Sequence, residues 1–354
     1  MSSSEVMSIG SFAQRTGLTA SALRFYADSG FLAPARVDAG SGYRFYEQGQ
    51  VDRAVLLRRL REIGMPLAAV GDVLDADAER AVRLVEEHVR KVLGDAATAQ
   101  RDAASITASW AGEPPSEPIA LSGPVFAAAI EQVLSATTRE SEIPVLNGVF
   151  FECGPEAVTV TATDRYRSAT RTLLPVEQVT VGWSATVHAD DLRSVLSGVH
   201  RSHRVSVALA RNGVRVVLDG AAEQHCRLLA EPFPDHRAML EALPAVTTRV
   251  AVEKVDLLRA LEVSSAAEPS LAVRRDGLTL TGDSGVGSPV PALVTGPDLD
   301  IRFQLTTLYP AVSTAIGADL LLDLRGAEQP ATVRSADHGD LTALVMPIPA
   351  RSRP

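Results

Sequence analysis

The sequence predicts a multidomain chain: an all-α winged helix-turn-helix head with a long helix behind it, then two α+β domains of related pattern. Three observations carry this reading. The N-terminal part holds two short helical patterns split by a glycine turn, a basic turn-rich segment and a further helix. Next comes a run with apolar residues at spacings of three and four. From Ile119 onward, one amphipathic helix with several alternating strands recurs four times. At 354 residues, 46% apolar and 22% charged, the chain suits two or three ordinary domains and is too apolar for a disordered one.

In the head, Ser8 to Leu32 reads SIGSFAQRTGLTASALRFYADSGFL. Ile9, Phe12 and Ala13 share a helical face, Thr16-Gly17 breaks it, and Thr19 caps a second helix carrying Ala22, Leu23 and Tyr26. A turn at Gly40 and Gly42 leads into Tyr43-Arg44-Phe45-Tyr46 and then another amphipathic helix. Helix, helix, basic hairpin, helix is the order of a winged helix-turn-helix. Residues 8–66 hold eight arginines against five acids, a balance of plus 3, so the rest of this minus 9 chain carries minus 12. Only the head is expected to meet phosphate.

In LRFYADSGFL, GYRFY and LLRRLREIGMPL the head resembles the MerR family of transcription regulators, from about Ile9 to Leu74. Phe25 stands where the family usually has tyrosine. The resemblance implies that Thr19, Ser21 and Arg24 lie on a recognition helix facing the major groove, with Tyr26 on the DNA backbone. It likewise implies a wing of Arg36, Tyr43 and Arg44 on flanking phosphates. Phe25 and Phe45 are expected in the core.

Ala81, Leu84, Val85, His88, Val89, Val92, Ala96, Ala99, Ala103 and Ile106 form the seam of the long helix. The resemblance implies an antiparallel coiled coil and a homodimer; packing on the chain's own body is the alternative, and His88 is expected to pack rather than to bind a ligand. The GEPPSEP stretch from Gly112 to Pro118 cannot stay helical, because its prolines lack amide donors and restrict their predecessors. The expected boundaries are thus 1–75 for the head, 76–112 for the dimerisation helix, 113–118 for a linker, and 119–243 and 244–354 for the α+β domains.

Within the body, the helical patterns FAAAIEQVLSA (126–136) and DLLRALEVSSA (256–266) each precede alternating strands, AVTVTATD (157–164) and GLTLTGDS (277–284). Between them DDLRSVLSGV (190–199) leads into RVSVALARNGVRVVLDG, two period-two runs around Asn212-Gly213 that signal a hairpin. The fourth unit runs from TTLYPAVSTAI at Thr306 to LTALVMPI.

The blocks IPVLNGVFFE, ATDRYRSATR, EPFPDHRAML and DHGDLTALVMPI give this body a resemblance to the second and third domains of the bacterial sliding clamp, the beta subunit of DNA polymerase III. The clamp's first domain is replaced by the head, so the resemblance implies no ring closure on DNA. The first inner helix, FAAAIEQVLSA, has no base to track phosphate; Arg193, His200, Arg201, His203 and Arg204 on the second are expected as a solvated face. The resemblance also implies a peptide groove between the two domains, lined by Leu146, Thr163, Arg165, Tyr166, Arg167, Pro234, Met239, Leu344, Met346 and Pro347. Ser168 replaces an aliphatic residue there and Ala238 a base, which points to a changed specificity. The alternative role for these residues is to cement the interdomain contact.

No catalytic constellation is present in the sequence: Asp337-His338 lacks a placed nucleophile, Cys153 and Cys226 sit in strand-like segments, and no phosphate-cradling glycine loop occurs. No enzyme activity, metal or cofactor is expected. With no signal-like N-terminus and no apolar run approaching the roughly 20 residues of a membrane span, a cytoplasmic protein is expected. The predicted function is transcription regulation by a homodimer on promoter DNA, reaching RNA polymerase indirectly. The clamp-like body would sense a short peptide or a hydrophobic cyclic peptide antibiotic. The alternative is a replication or repair accessory that docks partner proteins on a DNA-tethered scaffold.

Overall fold

The computed structural model describes residues 6–110, 116–139, 143–180, 182–219, 223–264, 266–282, 285–337 and 339–349. Of the expected linker only Ser116, Glu117 and Pro118 fall among them, and His338 lies outside. The chain divides into two compact units, Met1–Ala99 and Gln100–Pro354, so the division falls inside the long helix rather than at the linker.

The first unit opens with β1 (Val6–Ser8), α1 (Ile9–Thr16) and α2 (Ala20–Asp28), followed by β2 (Arg36–Val37), β3 (Arg44–Glu47), α3 (Val51–Glu62), α4 (Leu67–Leu74) and α5 (Ala78–Trp110). Ser8 and Thr19 cap α1 and α2 through their hydroxyls, and Gly17 ends α1 at φ 72, a left-handed conformation that glycine adopts without steric cost. The wing is a three-stranded antiparallel sheet in the order β1-β3-β2. Phe12 stacks on Tyr46 at 4.5 Å in a core completed by Leu23, Leu57, Leu60 and Met65. The sequence reads the segment after the wing as one helix. The structure breaks it into α3 and α4, because Gly64 turns left-handed at φ 77 and Pro66 follows. Early in α5, Ala81, Leu84 and Val85 pack on this core, while Val89, Val92, Leu93 and Ile106 are exposed. At 33 residues, α5 is about 50 Å long.

The second unit begins with β4 (Ile119–Ser122), α6 (Gly123–Leu134), β5 (Gly148–Cys153), β6 (Val158–Thr163), β7 (Arg167–Leu173), β8 (Trp183–His188), α7 (Ala189–Arg201), β9 (Arg204–Ala210), β10 (Gly213–Leu218), β11 (Gln224–Arg227) and α8 (His236–Glu241). Its second half holds β12 (Thr248–Glu253), α9 (Lys254–Ser264), β13 (Ser270–Arg274), β14 (Gly277–Thr281), β15 (Gly287–Val290), β16 (Ala292–Thr295), β17 (Leu299–Arg302), α10 (Leu305–Thr314), β18 (Asp319–Leu324), β19 (Ala331–Ser335) and β20 (Leu341–Val345). Two four-stranded sheets, β11-β10-β9-β4 and β15-β14-β13-β17, flank a nine-stranded sheet ordered β16-β12-β18-β19-β20-β7-β6-β5-β8. The β7–β20 pairing joins the halves into one continuous sheet. Each half has its own apolar core beneath its two helices. The expected hairpin is β9–β10, with Arg211-Asn212 as its loop. Gly213 is required there by a close approach: a Cβ would lie 2.2 Å from the His225 Nε2.

Candidate functional site: a recognition surface and an interdomain groove

On the head, Thr19 is exposed at the cap of α2 and Ser21 and Arg24 are exposed on it, and Arg24 makes no ion pair among the described residues. Tyr26 is 8% exposed and belongs to the core, so its expected place on the DNA backbone is corrected: the helix turns this ring inward beside Leu23. Phe25 is corrected the other way. It is 53% exposed, because it lies one position off the α2 face that packs inward. Phe45 is half-buried under the Arg36 guanidinium, 4.6 Å from the ring centre, and Tyr43 stands exposed beside it. Arg44 pairs with Asp28 at 2.7 Å, which ties the wing to the end of α2.

Charge counting overstated the basic surface. Arg53 donates to the Leu74 carbonyl at 2.8 Å, Arg58 to the Thr16 carbonyl at 3.1 Å, and Arg61 to the Met65 carbonyl. Three of the eight arginines therefore hold the head's loops together, and nothing in their spacing distinguished them. His88 bonds the Ile63 carbonyl at 3.0 Å.

In the body, Thr163, Arg165, Tyr166 and Arg167 form the turn between β6 and β7, and Leu344 and Met346 are paired or bonded to it, whereas no contact joins Leu146, Pro234 or Met239 to that turn among the described residues. Arg165 sits at φ 78, a conformation that costs a non-glycine residue free energy unless its surroundings fix it. They do so here through Asp164 and Thr163. The Asp164 carboxylate accepts from the Tyr166 amide (3.0 Å), the Arg167 amide (2.9 Å) and Arg167 Nε (2.9 Å). Thr163 Oγ1 donates to the Arg167 carbonyl at 2.9 Å and accepts from the Arg165 amide at 3.2 Å. Asp164 was absent from the predicted site, although an aspartate two residues before an amide it binds is a familiar turn signal.

The turn is also bolted to the second half. The Met346 amide donates to the Tyr166 carbonyl at 2.8 Å, and Arg167 Nη1 donates to the Thr306 carbonyl at 2.9 Å. Leu344 lies opposite Ser168, and Ser168 opposite Thr163, so these three share one face of the sheet, away from the core-facing row Ala343, Ala169 and Ala162. Tyr166 and Met346 are 57% and 40% exposed, and Pro347 follows half-buried. Leu146 is buried just before β5. Pro234 and Met239 are exposed on a neighbouring segment held to β5 by Phe233 stacked on Phe150 at 5.1 Å and by His236 and Arg237 on Glu152.

Of the residues expected as a solvated face, Arg193 pairs with Asp190 (2.7 Å), Arg204 with Glu177 (2.6 Å) and His200 with Glu131 (2.9 Å), all with partly exposed side chains. Cys153 is buried, and burial with the nearby Glu152 pushes its thiol up to about 12. Among the described residues no cluster of three or more His, Cys, Asp or Glu is arranged to hold a metal, and no helix is long and apolar enough to cross a membrane.

A winged helix-turn-helix head thus precedes a sheet-rich body. Residues 7–77 match the MerR helix-turn-helix family of regulatory proteins, and residues 120–235 match the central domain of the DNA polymerase III beta subunit. The HTH-type transcriptional regulator CueR of Escherichia coli O6:H1 is 31% identical over 99 residues, which cover 24% of this chain and 73% of that protein. The chain belongs to the MerR family of helix-turn-helix regulators, fused to a sliding-clamp-like region. The beta sliding clamp of Streptomyces coelicolor is 28% identical over 249 residues, 64% of this chain and 65% of that one. The beta sliding clamp homolog GriR of Streptomyces muensis is 30% identical over 202 residues, 54% of each. The chain thus spans less than two thirds of these clamp relatives. In fold, the body is similar to the sliding clamp of Pseudomonas aeruginosa bound to griselimycin, with a TM-score of 0.62 at 18% identity over 67% of both chains.

Proposed function

We propose that this protein is a dimeric, cytoplasmic transcription regulator that binds promoter DNA through α2 and the wing and senses a clamp-directed ligand in the groove around Tyr166 and Met346. The observation that carries the sensing role is the turn at Arg165. It is locked by Asp164 and Thr163 and anchored to Met346, so it presents two large apolar side chains to solvent on a rigid frame. An exposed apolar surface with a fixed backbone suits a peptide with apolar anchors or a hydrophobic cyclic peptide. A clamp of similar fold is bound to griselimycin, which makes that molecule a probe for this surface.

The exposed seam Val89, Val92 and Ile106 on α5 is the proposed dimer contact, and a dimer would present two recognition helices to two half-sites. Ligand binding that favours one dimer geometry would change how promoter DNA is bent and untwisted, and RNA polymerase would read the altered DNA. No catalytic step, metal or cofactor enters this proposal.

Met346→Asp places a charge on the exposed apolar wall. Calorimetry with griselimycin and with a clamp-binding peptide is expected to show at least a tenfold affinity loss for whichever ligand the unaltered protein binds, with operator affinity unchanged. No heat from either ligand with the unaltered, folded protein would leave the body as a scaffold. Run-off transcription with and without ligand separates the regulator from a replication accessory, because only a regulator changes transcript yield. On the head, Arg24→Ala should weaken operator binding by about 1–3 kcal/mol and blur its sequence preference, whereas Arg44→Ala should weaken all DNA alike and reduce the salt slope by about one. Matching specificity profiles for the two variants would refute these assignments.

A further inference from the structure

Away from the groove, at the far end of β7, a cavity of about 300 Å³ lies between the start of α6 and the approach to β20. Its walls include Leu121, Val125, Phe126 and Leu174, and its polar groups include Arg171 and Asp340. Arg171 lies opposite Val160 and Leu341, in the same alternation as Ala169 and Leu173, so its side chain emerges on the core face of the sheet. Only 13% of that side chain is exposed. Among the described residues, its Nε and Nη1 are fully buried without a hydrogen-bond partner, and its one ion-pair contact is Asp340 Oδ2 at 3.4 Å. Asp340 is itself 60% exposed and sits on the rim.

A buried guanidinium with a single long contact to a solvated carboxylate is poorly compensated, and such a group gains most from an anion delivered with its own apolar cover. The first turn of α6 borders the cavity, but its Gly123 amide already donates to the His203 carbonyl at 3.0 Å and Pro124 supplies no amide, so the case for an anion rests on Arg171. The apolar walls exclude a bare inorganic anion as the best fit, because they would go uncovered. Val125 and Leu174 are 48% and 79% exposed at the mouth and would be covered by an apolar chain.

We infer that this cavity is a second ligand site, for a carboxylate carried on an apolar body, with Arg171 as its ionic anchor. The carboxylate takes over the place that Asp340 fills at a distance, and the chain runs out over Leu121, Val125 and Leu174. Such a ligand has two sources, a free amphiphilic acid or the C-terminus of an apolar peptide, and the two share this chemistry. The site stands apart from the Tyr166 groove and does not depend on the sensing role proposed for it.

The test titrates full-length protein by calorimetry with octanoate, 1-octanol, acetyl-trileucine with a free carboxylate, and the same peptide as its amide. Saturable binding of at least one acid, with its neutral counterpart at least tenfold weaker, is expected; octanoate alone indicates a free acid, and the peptide acid alone a C-terminus. Arg171→Gln should lower the affinity at least tenfold, and Asp340→Asn should raise it a few-fold by removing the competing carboxylate. If Arg171→Gln does not fold, Leu174→Glu decides, since it alters an exposed rim position and should weaken binding by repulsion. Equal binding of acid and neutral probes, no binding of either acid, or affinity unchanged in both Arg171→Gln and Leu174→Glu would overturn the assignment.

Discussion

The two halves of the clamp-like body repeat one plan, yet each buries a carboxylate for a different purpose. In the first half Asp191, 2% exposed near the start of α7, accepts from the Arg227 amide at 2.9 Å and from its Nε and Nη2 at 2.8 and 2.9 Å. In the second half Asp323, 5% exposed in the middle of the sheet, accepts from Arg249 on β12 at 2.5 Å and from Arg334 on β19 at 3.0 Å. The last strands explain the contrast. β20 meets β7 across the domain junction, whereas its counterpart β11 ends its sheet, and there Asp191 takes up an edge amide that another strand would otherwise bind. The second half closes its other sheet at β15, where Pro289 has no amide to offer. Where a strand has no neighbour, a side chain or a proline does the neighbour's work.

The comparison is broken most sharply at Asp191. Asp191→Ala leaves Arg227, 21% exposed, facing a buried vacancy, and the cost should be about 3–5 kcal/mol, read as a drop in denaturant midpoint. Asp323→Ala should cost less, about 1–3 kcal/mol, because Arg249 and Arg334 are 46% and 33% exposed and can turn to water. Equal losses would mean that edge position has no bearing on the difference.

Acid sharpens the same contrast. His188 caps α7 by accepting from the Asp190 amide at 3.3 Å, which requires an unprotonated ring nitrogen. Burial, with Arg227 and Arg193 nearby, holds its pKa below the usual 6.5 in spite of Asp190 and Asp191. A depressed pKa means that the unfolded chain binds the proton first, so this stability is complete above pH 6.5 and is lost as pH falls through the folded value. The loss should be about 1 kcal/mol, the worth of one cap, and absent in His188→Asn, whose side chain caps without titrating. Burial raises the Asp323 pKa, but the hydrogen bonds from Arg249 and Arg334 outweigh it and the net shift is downward from 3.8. The second half should therefore lose its contribution only in stronger acid. Melting temperatures from pH 7 to 3, with His188→Asn as the reference, check both steps.

The order of elements was legible in the residues because it rests on local physics. Thr19 as a cap, Gly17 as a stop, period-two strands such as Val158–Thr163 and the amphipathic face of α7 are each written in a few neighbouring positions. The groove was legible only through resemblance, which named Thr163 to Arg167 but not Asp164, whose role depends on three hydrogen bonds closed by the turn itself. What the sequence by itself determined is the pattern of helices and strands, the repeat within the body and the placing of positive charge near the N-terminus. What only the tertiary structure decided is which charges are spent internally. Arg53, Arg58 and Arg61 go to loop carbonyls, Arg227 goes to Asp191, and Arg171 is left nearly alone beside a cavity. An arginine looks the same in any sequence window. Its partner lies tens of residues away, and burial, which sets the cost of leaving it unpaired, exists only once distant segments have closed over it.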